Sequence, residues 1–206
     1  MHDAHHRYPP PPSAAELGIK EPTHRPGQLR TGDDLPKLKR FRFQLLADHV
    51  TRVVAPCRVA DIGGGKGLLA YLLMNAGYQA TVIDPQRQSL PDKYKDLVTG
   101  RQVRIPPGSV VPHRTCPFVA DMAVDFDLLI GMHAHGCNFQ IIDAAAASRK
   151  SFLLLPCCVI DEPAVPPHGT HWLLWLASHA ERRGFNPHFF RLNFKGQNIG
   201  LYAASA

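Results

Sequence analysis

The sequence lacks the long apolar segments that membrane proteins need. No run among its 206 residues approaches the roughly 20 consecutive apolar residues that cross a bilayer, and the N-terminus has no apolar core typical of a signal peptide. Cysteine is also scarce: there are five, an odd number without regular spacing, which argues against a disulfide-built secreted fold. These absences predict a cytoplasmic protein that does not span a membrane.

The remaining composition is that of a folded protein. Hydrophobic residues make up 45% of the chain, an ordinary share for a globular domain. The formal charge of +6, which leaves 12 histidines uncounted, indicates an anionic partner such as nucleic acid. Residues 1–35 are rich in His and Pro and are predicted to form a flexible extension, and residues 36–206 one domain. His2, His5 and His6 could bind a metal, but a solvated tail is the simpler interpretation.

A glycine-rich stretch after a short apolar strand organises the rest of the chain. It is not a P-loop, because Gly67 follows Lys66 where a Ser or Thr is needed to reach Mg²⁺. The dinucleotide fingerprint G-x-G-x-x-G fails as well, because its third glycine would fall on Leu68. The pattern that remains is Asp-x-Gly-x-Gly-x-Gly.

That pattern is carried by Asp61, Gly63, Gly65 and Gly67, and it resembles motif I of the class I S-adenosylmethionine (SAM) methyltransferases. The resemblance implies that the loop binds the methionine part of SAM. Asp84 stands at the end of the next predicted strand, about 20 residues after the loop, where an acid can accept hydrogen bonds from ribose hydroxyls. Together with the loop, Asp84 favours SAM over a dinucleotide.

Alternating strand and helix patterns predict an α/β fold. The apolar run at 126–130 is typical of the interior of a parallel sheet. The resemblance implies a Rossmann-like seven-stranded methyltransferase sheet that is mostly parallel and ends in a C-terminal antiparallel hairpin. The predicted strands are 58–62, 79–83, 102–105, 126–130, 151–155, 188–194 and 199–203. The predicted helices are a basic helix that begins near 34–36, then 68–76, 117–124, 141–147 and 171–183.

Two loops that follow predicted strands carry the candidate chemistry, because ligands of open α/β sheets bind at the carboxyl ends of the strands. The first begins at Gly131, which is predicted to face the cofactor, and contains His133 and His135. Histidine titrates near neutral pH, so His133 is the first candidate for general base or substrate-orienting residue, and His135 the second. An equally weighted alternative is that His133 only shapes the loop through a hydrogen bond.

The second loop is Pro156-Cys157-Cys158, and three interpretations of its cysteines stay open. A nucleophilic pair of Cys137 and Cys157 would suit C5 methylation of a pyrimidine. A zinc site could combine the three cysteines with His133 or His135. Small buried residues without chemistry are the favoured interpretation, and no metal site is predicted.

The pairing of His133-x-x-Gly136 with Pro156-Cys157-Cys158 resembles a branch of the superfamily that carries a His-x-Cys-Gly loop and a later Cys-Cys pair. That branch includes tRNA 2′-O-methyltransferases. His135 stands where the branch has Cys. With the net charge and the basic segment at 37–42, the resemblance implies SAM-dependent methylation of RNA, either tRNA or rRNA. The alternatives are methylation of a small molecule or protein, and a non-catalytic SAM- or RNA-binding role.

Overall fold

The computed structural model describes residues 12–13, 15–19 and 39–205. In the second of these segments a turn forms at 15–18, where the Gly18 N–H donates to the Ala15 carbonyl. The rest of the predicted extension, the three N-terminal histidines and the predicted helix start at 34–36 lie outside the described residues.

The described chain alternates strands and helices. The strands are β1 (Arg58–Ile62), β2 (Gln79–Ile83), β3 (Lys93–Lys95), β4 (Gln102–Arg104), β5 (His113–Arg114), β6 (Leu128–Met132), β7 (Ser151–Leu155), β8 (His188–Arg191) and β9 (Ile199–Ala203). The helices are α1 (Arg42–Val53), α2 (Leu68–Asn75), α3 (Asn138–Ser148) and α4 (Trp172–Arg182), with 3₁₀ turns at Lys39–Phe41 and Ala120–Asp125.

One sheet has the strand order β5-β2-β1-β6-β7-β9-β8. The strands from β5 to β7 in this order pair in parallel, whereas β9 is antiparallel to both β7 and β8. The predicted seven-stranded, mostly parallel sheet with a C-terminal antiparallel hairpin is therefore confirmed.

The predicted third strand is wrong in its placement. Its residues form β4, which pairs antiparallel with β3 in a separate two-stranded sheet, and β5 takes the edge position beside β2. All three residues of β4 are exposed, so this segment has no apolar face to bury in a covered parallel sheet. The segment predicted as a helix at 117–124 is the 3₁₀ turn Ala120–Asp125, whose one buried residue, Ala123, makes no apolar stripe for an α-helix.

Helices cover both faces of the sheet. Within β6, Leu128 and Ile130 pack in the cluster that contains α1 and α2, while Leu129 packs in the cluster with α3 and α4. Every residue of β6 is buried, which is why this strand reads as a continuous apolar run. None of the helices in the described part of the chain has the length and apolarity of a membrane span.

The order of the strands reverses beside β1. The chain leaves β1 for β2 and β5 on one side and later returns to add β6 and β7 on the other. Open α/β sheets bind ligands at such a switch point, in the crevice outside the carboxyl ends of the strands. The ends of β1 and β6 therefore locate the candidate site.

Candidate cofactor and substrate site

The glycine loop, residues 63–67, joins β1 to α2 at the switch point. Gly63 and Gly65 have φ values of 67° and 54°, in the left-handed region that glycine enters at little cost. A Cβ on Gly64 would lie 2.6 Å from the carboxylate of Asp61. The loop is thus bent tightly over Asp61, and no larger side chain fits at Gly64 without a rearrangement.

Asp61 is buried beneath this loop, with 1% of its surface exposed. The backbone N–H of Ala70 donates a hydrogen bond to the carboxylate, but Oδ2 has no hydrogen-bond partner among the described residues. Burial raises the pKa of Asp61 to about 7, and the nearby charge of Asp84 adds to the rise. A buried, half-satisfied carboxylate of this kind fits a cationic ligand group, which would favour the ionised form.

Asp84 holds the same loop from the end of β2. Its Oδ2 accepts a hydrogen bond from the Gly65 N–H at 3.0 Å, and its Oδ1 accepts one from the Gln86 N–H at 2.8 Å. Each carboxylate oxygen can accept a further hydrogen bond. Asp84 therefore shapes the loop and retains capacity for the hydroxyl donors that its predicted role requires.

A cleft of about 400 Å³ opens at the switch point. Its walls include Ile62 and Gly63 from the end of β1, Ile83 from the end of β2, and both His133 and His135. Gly63, the first glycine of the predicted cofactor loop, and the two candidate histidines therefore meet at one cavity, whereas Gly67 lines a separate cavity with Lys66.

His133 follows β6 in a left-handed conformation with φ of 56°, which is uncommon for a residue with a side chain. Its N–H donates to the Leu155 carbonyl at 3.0 Å and so continues the pairing of β6 with β7. Burial lowers the pKa of His133 to about 4, and electrostatic interactions with Arg42, His135 and Lys39 lower it further. The imidazole is therefore neutral at pH 7 and able to accept a hydrogen bond.

Gly131 lies inside β6 and is buried. The predicted strand at 126–130 is displaced by two residues, so Gly131 belongs to the strand and not to the loop. A Cβ here would approach Ile141 Cδ1 to 2.7 Å and Leu154 Cδ2 to 2.9 Å, so the packing of α3 and β7 explains the glycine. Contact of its backbone with a cofactor stays a prediction.

The basic N-terminal end of α1 lies on the same side of the molecule as the cleft, where the carboxyl ends of the parallel strands are. The opposite end of α1 is held at the amino edge, because the hydroxyl of Tyr78, just before β2, donates to the carbonyls of Val50 and Val54. The start of the helix therefore points toward the carboxyl edge, in agreement with the effect of Lys39 and Arg42 on the pKa of His133.

Cys157 and Cys158 follow β7, beside the loop that contains His135. Cys157 Sγ lies 3.0 Å from His135 Nε2 and 3.5 Å from Cys158 Sγ. Burial and the adjacent Cys158 thiol raise the pKa of Cys157 to about 12. Cys137 is the N-cap of α3 and is not part of this three-residue group.

Glu162, which the sequence analysis did not identify, connects these two loops. Its carboxylate accepts hydrogen bonds from the backbone N–H groups of Asn138 at 3.0 Å and Phe139 at 3.4 Å, and so caps the N-terminus of α3. No local pattern could reveal this cap, because Glu162 lies 24 residues beyond Asn138.

Comparison with known proteins finds relatives that are similar to this chain over part of their length. No protein-family model matches the chain. It is 30% identical over 153 residues to a probable tRNA (uracil-O(2)-)-methyltransferase of Caenorhabditis elegans, with 66% of this chain and 26% of that protein covered. The protein of the same name from Caenorhabditis briggsae is 29% identical over 150 residues, with the same coverage. The chain thus spans about a quarter of the length of these curated relatives.

Solved structures give weaker similarities. A ribosomal protein L11 methylase from Lactobacillus delbrueckii subsp. bulgaricus has 17% identity and a TM-score of 0.47, over 87% of this chain and 82% of that one. The magnesium protoporphyrin IX methyltransferase of Synechocystis PCC 6803, with bound SAM, has 13% identity and a TM-score of 0.48, over 88% and 87%. The strand order and the final antiparallel hairpin decide the fold. It is the Rossmann-like methyltransferase fold.

Proposed function

We propose that this chain is a SAM-dependent methyltransferase that acts on RNA, with tRNA as the first candidate substrate. One observation carries the proposal: the glycine loop bends over the half-satisfied carboxylate of Asp61 at the switch point of the sheet. The names of the two Caenorhabditis relatives support tRNA as the substrate.

The residues around the glycine loop fit SAM. When bound, SAM supplies an electrophilic methyl group on a positively charged sulfur. Asp61 would accept a hydrogen bond from the ammonium group through its unpartnered Oδ2, and Asp84 would accept hydrogen bonds from the ribose hydroxyls. The backbone of Gly63, Gly65 and Gly67 would form the surface on which the methionine part rests, and Gly131 would lie behind it.

His133 is proposed to orient the methyl acceptor. It lines the same cleft as Gly63, and the hydrogen bond from its N–H to Leu155 holds its backbone in place. Positioning of the two reactants supplies much of the rate in such a transfer. The side chain would accept a hydrogen bond from an acceptor hydroxyl and so direct an oxygen lone pair into the cleft. His135, on the same wall, is the second candidate for this role.

The polyanionic substrate is supported by charge at the mouth of the site. Arg42 begins α1, Lys39 begins the 3₁₀ turn just before it, and both act electrostatically on His133. The chain as a whole carries a formal charge of +6. Phosphate contacts from such residues supply most of the sequence-independent affinity for nucleic acids.

Methyl transfer from radiolabelled SAM to separate pools of tRNA, rRNA, protein and metabolites tests the activity. The expected result is label in the tRNA pool. Label confined to protein or metabolites would replace RNA by the corresponding alternative substrate. SAM binding without label in any pool would indicate a non-catalytic binding protein.

Calorimetric titration with SAM tests the cofactor site. Asp61→Asn and Asp84→Asn are each expected to weaken SAM binding by about tenfold or more, because each removes a charged hydrogen-bond acceptor. Asp127→Asn is the matched control, since Asp127 precedes β6 at the opposite edge of the sheet. Unchanged affinity in both site variants would contradict the cofactor assignment.

The role of His133 is tested by turnover with bound SAM. His133→Ala is expected to lower the rate of methyl transfer by about tenfold or more, with the SAM affinity unchanged. His188→Ala, an exposed histidine at the start of β8, should retain full turnover. Full turnover in His133→Ala would assign the acceptor-orienting role to another residue.

A further inference from the structure

Three metal-ligating side chains converge where the loops after β6 and β7 meet. They come from the histidine loop, residues 133–137, and the cysteine loop, residues 156–162. Cys157 Sγ lies 3.0 Å from His135 Nε2, Cys158 Sγ lies 3.7 Å from the same nitrogen, and the two sulfurs are 3.5 Å apart. These three donor atoms form the one such histidine, cysteine and carboxylate group in the described part of the chain.

The separations match the donor atoms of a tetrahedral metal site. Zinc binds sulfur at about 2.3 Å and imidazole nitrogen at about 2.0 Å, which at the tetrahedral angle places two sulfurs about 3.8 Å apart and a sulfur and a nitrogen about 3.5 Å apart. The observed sulfur–sulfur separation of 3.5 Å and the Cys158 Sγ to His135 Nε2 separation of 3.7 Å are each close to the value for their pair. The third, 3.0 Å between Cys157 Sγ and His135 Nε2, needs only a small widening.

Contacts outside the group hold the two loops together. A Cβ on Gly136 would lie 2.8 Å from the Asp161 carbonyl oxygen, so the histidine loop passes directly against the cysteine loop. Glu162 bonds the first backbone N–H groups of α3, and His133 bonds the end of β7. These backbone contacts bring the three donors together, although the side chain of His135 itself is exposed and the two cysteines are half-buried.

We propose that His135 Nε2, Cys157 Sγ and Cys158 Sγ bind a thiophilic divalent cation, with Zn²⁺ as the first candidate. Two sulfurs and one imidazole nitrogen suit zinc and exclude the hard cations Mg²⁺ and Ca²⁺, which take oxygen ligands. Three protein ligands leave the fourth tetrahedral position open to water or to a bound molecule. Because His135 also lines the cleft, the site stands at its rim.

The metal would change how the site is arranged. It would join the loops at the ends of two adjacent strands, and it would occupy His135 Nε2. His133 would then be the one histidine of this loop with a ring free to meet the acceptor. The metal proposal does not depend on the proposed methyl transfer, because binding is measured with the metal alone.

Titration of the full-length, reduced, metal-free protein with Co²⁺ and Zn²⁺ tests the site. One equivalent of Co²⁺ should bind, with the d–d absorption of a tetrahedral ion and a thiolate-to-cobalt charge-transfer band, and one equivalent of Zn²⁺ should displace it. The charge-transfer band requires sulfur ligands. It therefore distinguishes this site from any binding by the N-terminal His2, His5 and His6.

Variants identify the ligands. Zn²⁺ binding should be weakened by about tenfold to a hundredfold or more in each of the variants Cys157→Ser, Cys158→Ser and His135→Ala. Removal of a residue that only supports a metal ligand already costs about this much affinity. Cys57→Ser and Cys116→Ser are the matched controls and should bind as the wild type does. Circular dichroism of each metal-free variant verifies that its fold is intact.

Three results would overturn the proposal. The first is a wild-type Co²⁺ spectrum without the thiolate band, which requires no variant. The second is unchanged Zn²⁺ affinity in a folded Cys157→Ser/Cys158→Ser double variant. The third is a peptide containing Cys157 and Cys158 whose mass stays lower by two hydrogens under reducing conditions, which would show a disulfide between them in place of two metal ligands.

Discussion

Two aspartates at opposite edges of the sheet show how position alone changes the chemistry of one residue type. Asp61 is buried under the glycine loop, and burial raises its pKa to about 7. Asp127 accepts two hydrogen bonds from the guanidinium of Arg58, at 3.0 and 2.7 Å, and this bonding lowers its pKa to about 2. Asp127 thus favours folding when it is ionised, whereas ionised Asp61 opposes folding until a cationic ligand compensates it.

Asp61→Asn is therefore expected to stabilise the protein at alkaline pH. The carboxyl of Asp61 has a pKa of about 7 in the folded state and about 3.9 in the unfolded state. The unfolded state loses this proton first, so the contribution of Asp61 to stability falls as the pH rises from about 4 to about 7 and is constant above that.

The amide has no charge to bury. At pH 8 the free energy of unfolding of Asp61→Asn should exceed that of the wild type by about 2–4 kcal/mol, and at pH 4 the two should be similar. Urea denaturation at both pH values measures the difference. A variant that is less stable than the wild type at pH 8 would show that the carboxylate supports the fold instead of opposing it.

Among the elements, α3 depends on a residue from outside itself. Its own N-cap is Cys137, whose side chain makes no capping hydrogen bond, and the carboxylate of Glu162 supplies the missing acceptor. The negative charge also lies at the positive end of the helix dipole. One side chain thus both caps the helix and fixes the cysteine loop against the histidine loop.

Removal of this cap should destabilise the protein. Glu162→Ala is expected to lower the free energy of unfolding by about 1–2 kcal/mol, the usual cost of losing a capping acceptor, whereas Glu162→Gln should lose less because its amide oxygen still accepts. Glu181→Ala, at an exposed position of α4, is the control and should change the free energy by less than about 0.5 kcal/mol. Equal stability of Glu162→Ala and wild type in urea would contradict the capping role.

The whole molecule is polarised between its two sheet edges. The glycine loop, the histidine loop, the cysteine loop and the basic start of α1 all lie at the carboxyl edge, while the end of α1 and the Arg58–Asp127 ion pair lie at the amino edge. An RNA substrate that enters the cleft should therefore contact basic residues at one end of α1 and not at the other.

Two charge-matched variants on α1 test this polarity. Arg42→Gln should weaken RNA binding and reduce the slope of log affinity against log salt by about one unit, because one phosphate contact is lost. Arg52→Gln removes the same charge at the far end of the helix and should leave both quantities unchanged. Binding is measured by fluorescence anisotropy with tRNA over a range of salt concentrations. Equal effects of the two variants would place the RNA elsewhere.

The sequence by itself determined the elements whose signals are local. The spacing of Asp61, Gly63, Gly65 and Gly67 identified the loop, because a tight turn between strand and helix leaves few residues able to adopt left-handed φ. Strands β1, β2, β7 and β9 were predicted at their observed bounds, because apolar runs record burial on a covered sheet. The resemblance supplied the strand count and the closing hairpin.

Only the tertiary structure decided what depends on distant neighbours. The two-residue β5 beside β2 has no apolar pattern of its own, since pairing with β2 alone makes it a strand. The raised pKa of Asp61 follows from burial, which no spacing reports. The group of His135, Cys157 and Cys158 forms because parallel pairing brings the ends of β6 and β7 together. Sequence patterns describe which face of an element is buried, whereas the contacts between loops arise from the order of the strands.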